Sequence, residues 1–217
     1  NGDIQLKSID VPLKQVKAEI KSVSQTDFHY LVSAQGGEGQ LVIEGDLIFV
    51  DNPKIQNKSW KVTSEIKANK FLVAEGSQLS LSLSPLLNIT HSVQSTVVSG
   101  EVSIPKASIS IQEVPASVTT LPSDITFIGN KDVCEDKEGS ASSLLIDVKA
   151  IIEDKVKLEV LGLKADLSGE LRLKNGEELR DIKAFGQLIL TDGVYEIYGQ
   201  ALQITQGLLI FDGPLDN

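Results

Sequence analysis

Few residues in this chain combine the type and spacing that covalent chemistry needs. His29 and His91 stand apart, and neither has the partner at i, i+4 that a helical metal pair requires. Cys134 is the only cysteine, so no intramolecular disulfide can form and one thiolate cannot build a structural zinc site. Gly139-Ser-Ala-Ser-Ser has Ala where a nucleophile elbow needs its third-position Ser, and no strand–helix alternation surrounds it. Gly36-Gly37-Glu38-Gly39 is glycine-rich, but no helical segment follows to aim amides at a phosphate, so it reads as a turn. Asp and Glu alternate with Lys on one parity of short apolar runs, the pattern of cross-strand pairing on a solvated face. The expectation is a protein that acts through surfaces: not an enzyme, with no catalytic residue, metal or cofactor.

Composition narrows the surfaces that matter. The chain has 217 residues, enough for one large all-β unit or two small ones. Apolar residues make up 41% and charged residues 23%, which marks a folding sequence rather than a disordered one. A net charge of −10 argues against nucleic acid or an anionic membrane surface as the main partner. Aromatics are 5%, too few for the girdles of a transmembrane barrel, and no apolar run is long enough for a membrane-spanning helix. No signal peptide is recognisable. The chain opens on Asn1 and stops in Pro-Leu-Asp-Asn with its pattern still running, which reads as a piece of something longer.

The elements that would carry these surfaces repeat with period two rather than 3.6. Val16, Ala18 and Ile20 alternate with Lys17, Glu19 and Lys21, and Pro12 suggests an edge or a strand start. Leu41, Ile43, Gly45, Leu47 and Phe49 form one parity of a strand; Trp60, Val62, Ser64, Ile66 and Ala68 form the next, after a turn at Asp51-Asn52-Pro53. Leu79, Leu81 and Leu83 alternate with polar residues until Pro85, where the run is expected to close. Val102, Ile104, Ile109 and Ile111 are inward candidates, with Pro105, Pro115 and Pro122 making the pairing weaker and partly edge-like. Residues 129–143 are the most polar stretch and read as a mobile loop or a junction between two halves of a sheet.

Alternation is clearest from 144 onward. Leu144, Ile146, Val148, Ala150 and Ile152 share one parity, and Val156, Leu158 and Val160 continue it. The phase shifts at Leu161-Gly162, which reads as a bulge, and Leu163, Ala165, Leu167, Leu171 and Leu173 follow. Asn175-Gly176 and Asp192-Gly193 both read as hairpin turns. The closing ribbon from Gly186 carries Leu188, Leu190, Leu202 and Ile204, with glycines at intervals that would let it bend. No helix is expected. An apolar parity of this extent has to be buried in a sandwich, closed on itself, or offered to something apolar, and periodicity alone favours the sandwich. A lipid groove needs the same side chains in an open sheet. About 0.8 kcal/mol per CH₂ makes an acyl chain worth on the order of 12 kcal/mol, so the lining must be unbroken.

At residues 186–217 the sequence resembles a known family. The order Gly, Tyr-x-x-Tyr-Gly-Gln, Leu-x-Ile and Gly-x-Leu-x-Phe-x-Gly-Pro, as it stands in Gly186 to Pro214, is similar to the TamB C-terminal domain, from the translocation and assembly module of Gram-negative bacteria. Gly100-Glu-Val-Ser-Ile-Pro-Lys-Ala-Ser-Ile and Leu158-Glu-Val-Leu-Gly-Leu-Lys-Ala-Asp-Leu-Ser-Gly-Glu-Leu also match in style, so the likeness covers 95–217, with 1–94 as further strands of one elongated β domain. The resemblance implies an all-β, long, curved, taco-shaped sheet with an apolar concave interior and mostly hairpin-connected strands. It implies a periplasmic region of a parent anchored in the inner membrane by a single pass. It implies phospholipid acyl chains as cargo, the outer-membrane barrel protein TamA or a related assembly factor as partner, and outer-membrane proteins as clients. On that reading the groove lining is Leu144, Ile146, Val148, Ile152, Val156, Leu158 and Val160, then Leu163, Leu167, Leu171 and Leu173, then Leu188, Leu190, Leu202 and Ile204. Phe211, Asp212, Gly213 and Pro214 are the candidate docking residues.

Overall fold

Period-two alternation leaves backbone donors and acceptors to be satisfied between strands rather than within a helix. The computed structural model describes residues 2–5, 11–51, 58–111, 143–175 and 182–214. Among them every regular element is a strand: β1 (Gly2–Gln5), β2 (Pro12–Ser22), β3 (Asp27–Gly36), β4 (Gly39–Asp51), β5 (Lys58–Asn69), β6 (Phe71–Glu75), β7 (Leu79–Ser92), β8 (Ser95–Ile111), β9 (Ser143–Val160), β10 (Leu163–Asn175), β11 (Ile182–Ile197) and β12 (Gln200–Pro214). No helix among the described residues is long and apolar enough to cross a membrane.

All twelve strands belong to one sheet, in the order β1-β2-β3-β4-β5-β7-β8-β9-β10-β11-β12, with β6 pairing β7. A sandwich, the default from periodicity, would need two sheets. β6 continues the line of β5: β5 pairs β7 from Ser92 to Leu86, and β6 takes over at Leu83. Sheet neighbours are antiparallel except β8 and β9, which run parallel from Ser95 opposite Ser143 to Ile111 opposite Val160. The chain between them, with Cys134, Pro115, Pro122 and most of the polar stretch 129–143, lies outside the described residues.

Several local expectations change. Leu161-Gly162 is a two-residue hairpin turn with both φ positive (51° and 87°), not a bulge. The phase shift seen there is the chain changing strands. Asp192-Gly193 is the reverse case. β11 runs straight through it, and Asp192 (φ 49°) marks an irregularity against β10, while the hairpin comes at Tyr198-Gly199. Pro85 does not close its strand either. It sits where neither β5 nor β6 pairs with β7, so its missing N–H leaves no gap in the ladder. Pro105 likewise falls in the register shift between Ile104 and Ala107. After Asn175 the chain does reverse, but Asn175 pairs with Ile182, and Gly176 is outside the described residues, as are Asn52 and Pro53. Gly37-Glu38 turns the β3–β4 hairpin, and Pro12 opens β2, both as expected.

The sheet is curved toward one face. Ala34, Phe71, Ala107, Val148, Val156, Ala165, Ala184, Leu188 and Leu190 are the buried apolar residues within described strands, and register puts all of them on the same side. One face of a lone sheet becomes buried when the sheet curls so that its side chains crowd. Gly169 and Gly186 help it curl. Their φ values, 134° and 135°, are ones side chains rarely adopt, and a Cβ on either would strike the carbonyl oxygen of Gln187 or Glu170 on the adjacent strand.

Candidate functional site

Residues directly opposite on neighbouring strands point to the same side of a sheet. One transverse row therefore carries Ala18, Val32, Ile43, Ile66 and Leu87 into Gly100, Val148, Leu173, Ala184 and Gly213. It crosses from β2 to β12 without a polar side chain. Adjacent rows repeat the pattern. Pro85, Val102, Ala150, Leu171, Gly186 and Phe211 align, as do Ile104, Ile152, Gly169, Leu188 and Leu209. Leu81, Ala107, Val156, Leu167, Leu190 and Gly207 make another.

The expected lining residues fall onto this face through β9, β10 and the first half of β11. Ile146 is level with Val98, Leu144 with Thr96, Leu158 with Ile109 and Ala165, and Val160 with Ile111 and Leu163. Val148, Val156, Leu188 and Leu190 are buried, and the others in these strands are half-buried. Leu202 and Ile204 stand on the other parity of β12 from Leu209 and Phe211. Beyond Asp192 the register against β10 shifts by one, so Leu202 lies level with Tyr195 and Leu163; it is 55% exposed. Ile204 faces Gly193 and is half-buried. Phe211, Asp212, Gly213 and Pro214 pair with Gly186, Phe185, Ala184 and Lys183 on the strand that ends the sheet.

Half of the apolar face was absent from the expected lining: Val32, Ile43, Ile66, Leu87, Ile89 and Val98 come from β3 to β8. Alternation marks Ile43 and Ile66, but Leu87 and Ile89 lie past Pro85, where the pattern predicts the run to close, and the parallel join of β8 to β9 that merges the two halves is not legible. Also unforeseen is an aromatic end. Phe28 and Phe49 meet edge to face at 6.1 Å, and Trp60 packs on His91 at 4.9 Å with an interplanar angle of 62°. Tyr30 lies over Gly45, where a Cβ would come within 2.6 Å of its hydroxyl, and shares a 2.5 Å hydrogen bond with the Ser64 hydroxyl.

The opposite face holds the charges. Arg172 donates to both carboxylate oxygens of Asp147, at 2.6 and 2.8 Å, and Lys174 approaches the same group at 3.8 Å. Lys149 meets Glu170 at 2.9 Å and Lys164 meets Glu159 at 3.2 Å. The Arg172 hydrogen bond holds the Asp147 carboxyl below its ordinary value, and Asp147 in turn raises Arg172. Glu170 raises Lys149 in the same way. His29 sits between Asp46 (2.9 Å) and Glu44 (3.4 Å). A cavity of about 750 Å³ on this polar side is lined by Lys70, Lys106, Glu75, Glu153 and Asp154. Among the described residues no group of His, Cys, Asp and Glu is placed to hold a metal ion.

The described strands form a single all-β sheet with an apolar row running from β2 to β12 and ion pairs on the opposite face. The chain belongs to the family of the TamB C-terminal domain, whose family model matches residues 29–217. It is similar to the translocation and assembly module subunit TamB of Haemophilus influenzae (strain ATCC 51907 / DSM 11121 / KW20 / Rd), at 26% identity over 230 residues that cover 98% of this chain. Those residues are 17% of that protein's length. No solved structure matches the chain.

Proposed function

We propose that this chain is the periplasmic, groove-forming part of an inner-membrane-anchored protein, and that its apolar face carries phospholipid acyl chains toward the outer membrane in support of outer-membrane protein assembly. The observation that carries this reading is the row from Ala18 to Gly213, apolar on every strand it crosses. A folded protein gains by closing such a face onto itself; here most of its side chains stay half-buried. An acyl chain laid along them would exchange bilayer for protein with little net cost. The relative's name, translocation and assembly module subunit, supports the placement in the envelope.

Leu158 and Lys157 are successive residues of β9 and point to opposite faces. Leu158→Asp puts a charge in the lining and is expected to abolish complementation of a strain lacking the parent protein and to remove copurifying phospholipid. Lys157→Ser is expected to do neither. Full complementation by folded Leu158→Asp protein would sink the proposal.

A second reading rests on β12. Gly207-Leu-Leu-Ile-Phe211 is apolar on both parities, and β12 has a sheet neighbour on one side only. Ile210 is 72% exposed and Leu208 is 54% exposed. Such an edge can add a strand from a barrel protein of the TamA kind or from a nascent outer-membrane client, with Phe211 to Pro214 at its end. Cross-links from β12 to a client, with no lipid in the purified protein, would favour this reading over the first.

A further inference from the structure

We infer that the Trp60–His91 end of the apolar face is a phosphate-recognition seat, which holds the headgroup of a phospholipid while its tails run along Ile89, Leu87 and Pro85. The inference rests on the groove reading above and adds where the lipid sits and which way it points.

His91 shares its row with Phe28, Leu47, Val62, Thr96 and Leu144. Among described side chains on the apolar rows it is the one His, Lys, Arg, Asp or Glu. Its Nδ1 lies 2.7 Å from the Thr96 hydroxyl. With that hydroxyl donating, the ring hydrogen sits on Nε2 and is free to donate. The ring packs against Trp60, whose indole N–H has no acceptor among the described residues. Both residues are half-buried, and no buried side-chain nitrogen or oxygen lacks a partner among the described residues. The two donors therefore open onto the groove and not into packed interior.

An amphiphile with an anionic head fits this arrangement. The carboxylates of Glu44, Glu65, Glu101 and Asp147 lie on the other face, while Asp51 and Lys58 hold the register position next beyond Phe49 and Trp60. N–H donors in apolar surroundings favour an anionic oxygen over a neutral one. From His91 the same parity of β7 is Ile89, Leu87, Pro85, Leu83, Leu81 and Leu79, about 40 Å at roughly 3.3 Å per residue. The tails of one leaflet need about 15 Å, half of a hydrocarbon core of roughly 30 Å. The lining is long enough for a lipid seated by its head at His91 and for a second one beyond it.

Trp60 is the only tryptophan, so its fluorescence reports this seat alone. The 217-residue chain is titrated with phosphatidylglycerol whose acyl chains are brominated either near the headgroup or near the chain ends. Head-proximal bromine is expected to quench Trp60 more strongly. His91→Phe keeps the ring packing and removes the His91 donor, leaving the Trp60 indole N–H; it is expected to weaken the apparent Kd about tenfold, the value of a hydrogen bond to a charged group. Inorganic phosphate alone is expected to leave the quenching curve unmoved. Equal or stronger quenching by end-brominated lipid overturns the seat whatever the variant does. So does an unchanged Kd in folded His91→Phe protein, or displacement by inorganic phosphate, and all three leave the groove reading standing. Absence of quenching by either lipid overturns both.

Discussion

The Arg172 guanidinium grips the Asp147 carboxylate in a fork across β9 and β10, Nε to Oδ1 at 2.6 Å and Nη2 to Oδ2 at 2.8 Å. A fork of this kind fixes orientation as well as charge. Asp147 is held below its ordinary pKa, so its contribution to stability is present above the unfolded-state value and is lost as pH falls through the folded one. That places the loss below about pH 4. Asp147→Asn is expected to lower the urea midpoint at pH 7 and to lower it by less at pH 2.5, where acid moves the wild-type carboxylate toward its neutral form. Raising the salt concentration should shrink the pH 7 difference, because the pair faces solvent. A gap of equal size at both pH values would show that Asn disturbs packing and that the pair itself contributes nothing.

Gly186 and Gly199 separate strain from crowding. Both have positive φ, but a Cβ on Gly186 would meet the Glu170 carbonyl, while nothing lies within 4 Å of one on Gly199. Gly199→Ala is expected to cost about 1 kcal/mol, the left-handed backbone penalty. Gly186→Ala should cost more, about 2–4 kcal/mol, since strain and a main-chain collision add. Equal melting temperatures for the two variants would refute the role given to Gly186 in letting β10 and β11 approach.

Asn175 substitutes for a strand residue. Its Oδ1 accepts from the Ile146 amide at 2.7 Å and its Nδ2 donates to the Leu144 carbonyl, just past the last paired residues of β10 and β9, Lys174 and Asp147. Asn175→Ala leaves both main-chain groups without that partner and is expected to cost about 1–3 kcal/mol. The sharper measurement is amide exchange at Ile146, which should accelerate while exchange at Val148, deeper in the ladder, holds. Uniform acceleration would mean global destabilisation instead of a frayed end.

Strand identity and face were legible in the residues because a strand's side-chain period is local. Leu144 to Val160 and Leu163 to Leu173 could be assigned to one side from neighbours two apart, and the register placed them there. Turn chemistry was less reliable. Leu161-Gly162 and Asp192-Gly193 pair a bulkier residue with Gly in the same way, yet one is a hairpin and the other an irregularity within β11. What separates them is whether the flanking strands pair with each other or with a third strand, and that is not written in a dipeptide.

The sequence by itself determined that this protein is all β and that its charges and its apolar residues occupy opposite parities. Each of these follows from alternation and composition over a few residues. Only the tertiary structure decided that the apolar parities of all the strands join into one face. That depends on a parallel pairing between β8 and β9, whose partners lie 48 positions apart at Ser95 and Ser143. It also decided that Trp60 and His91, 31 positions apart, meet edge to face. Pairing between distant strands is set by which closure satisfies the most main-chain hydrogen bonds and buries the most apolar surface, a property of the whole sheet.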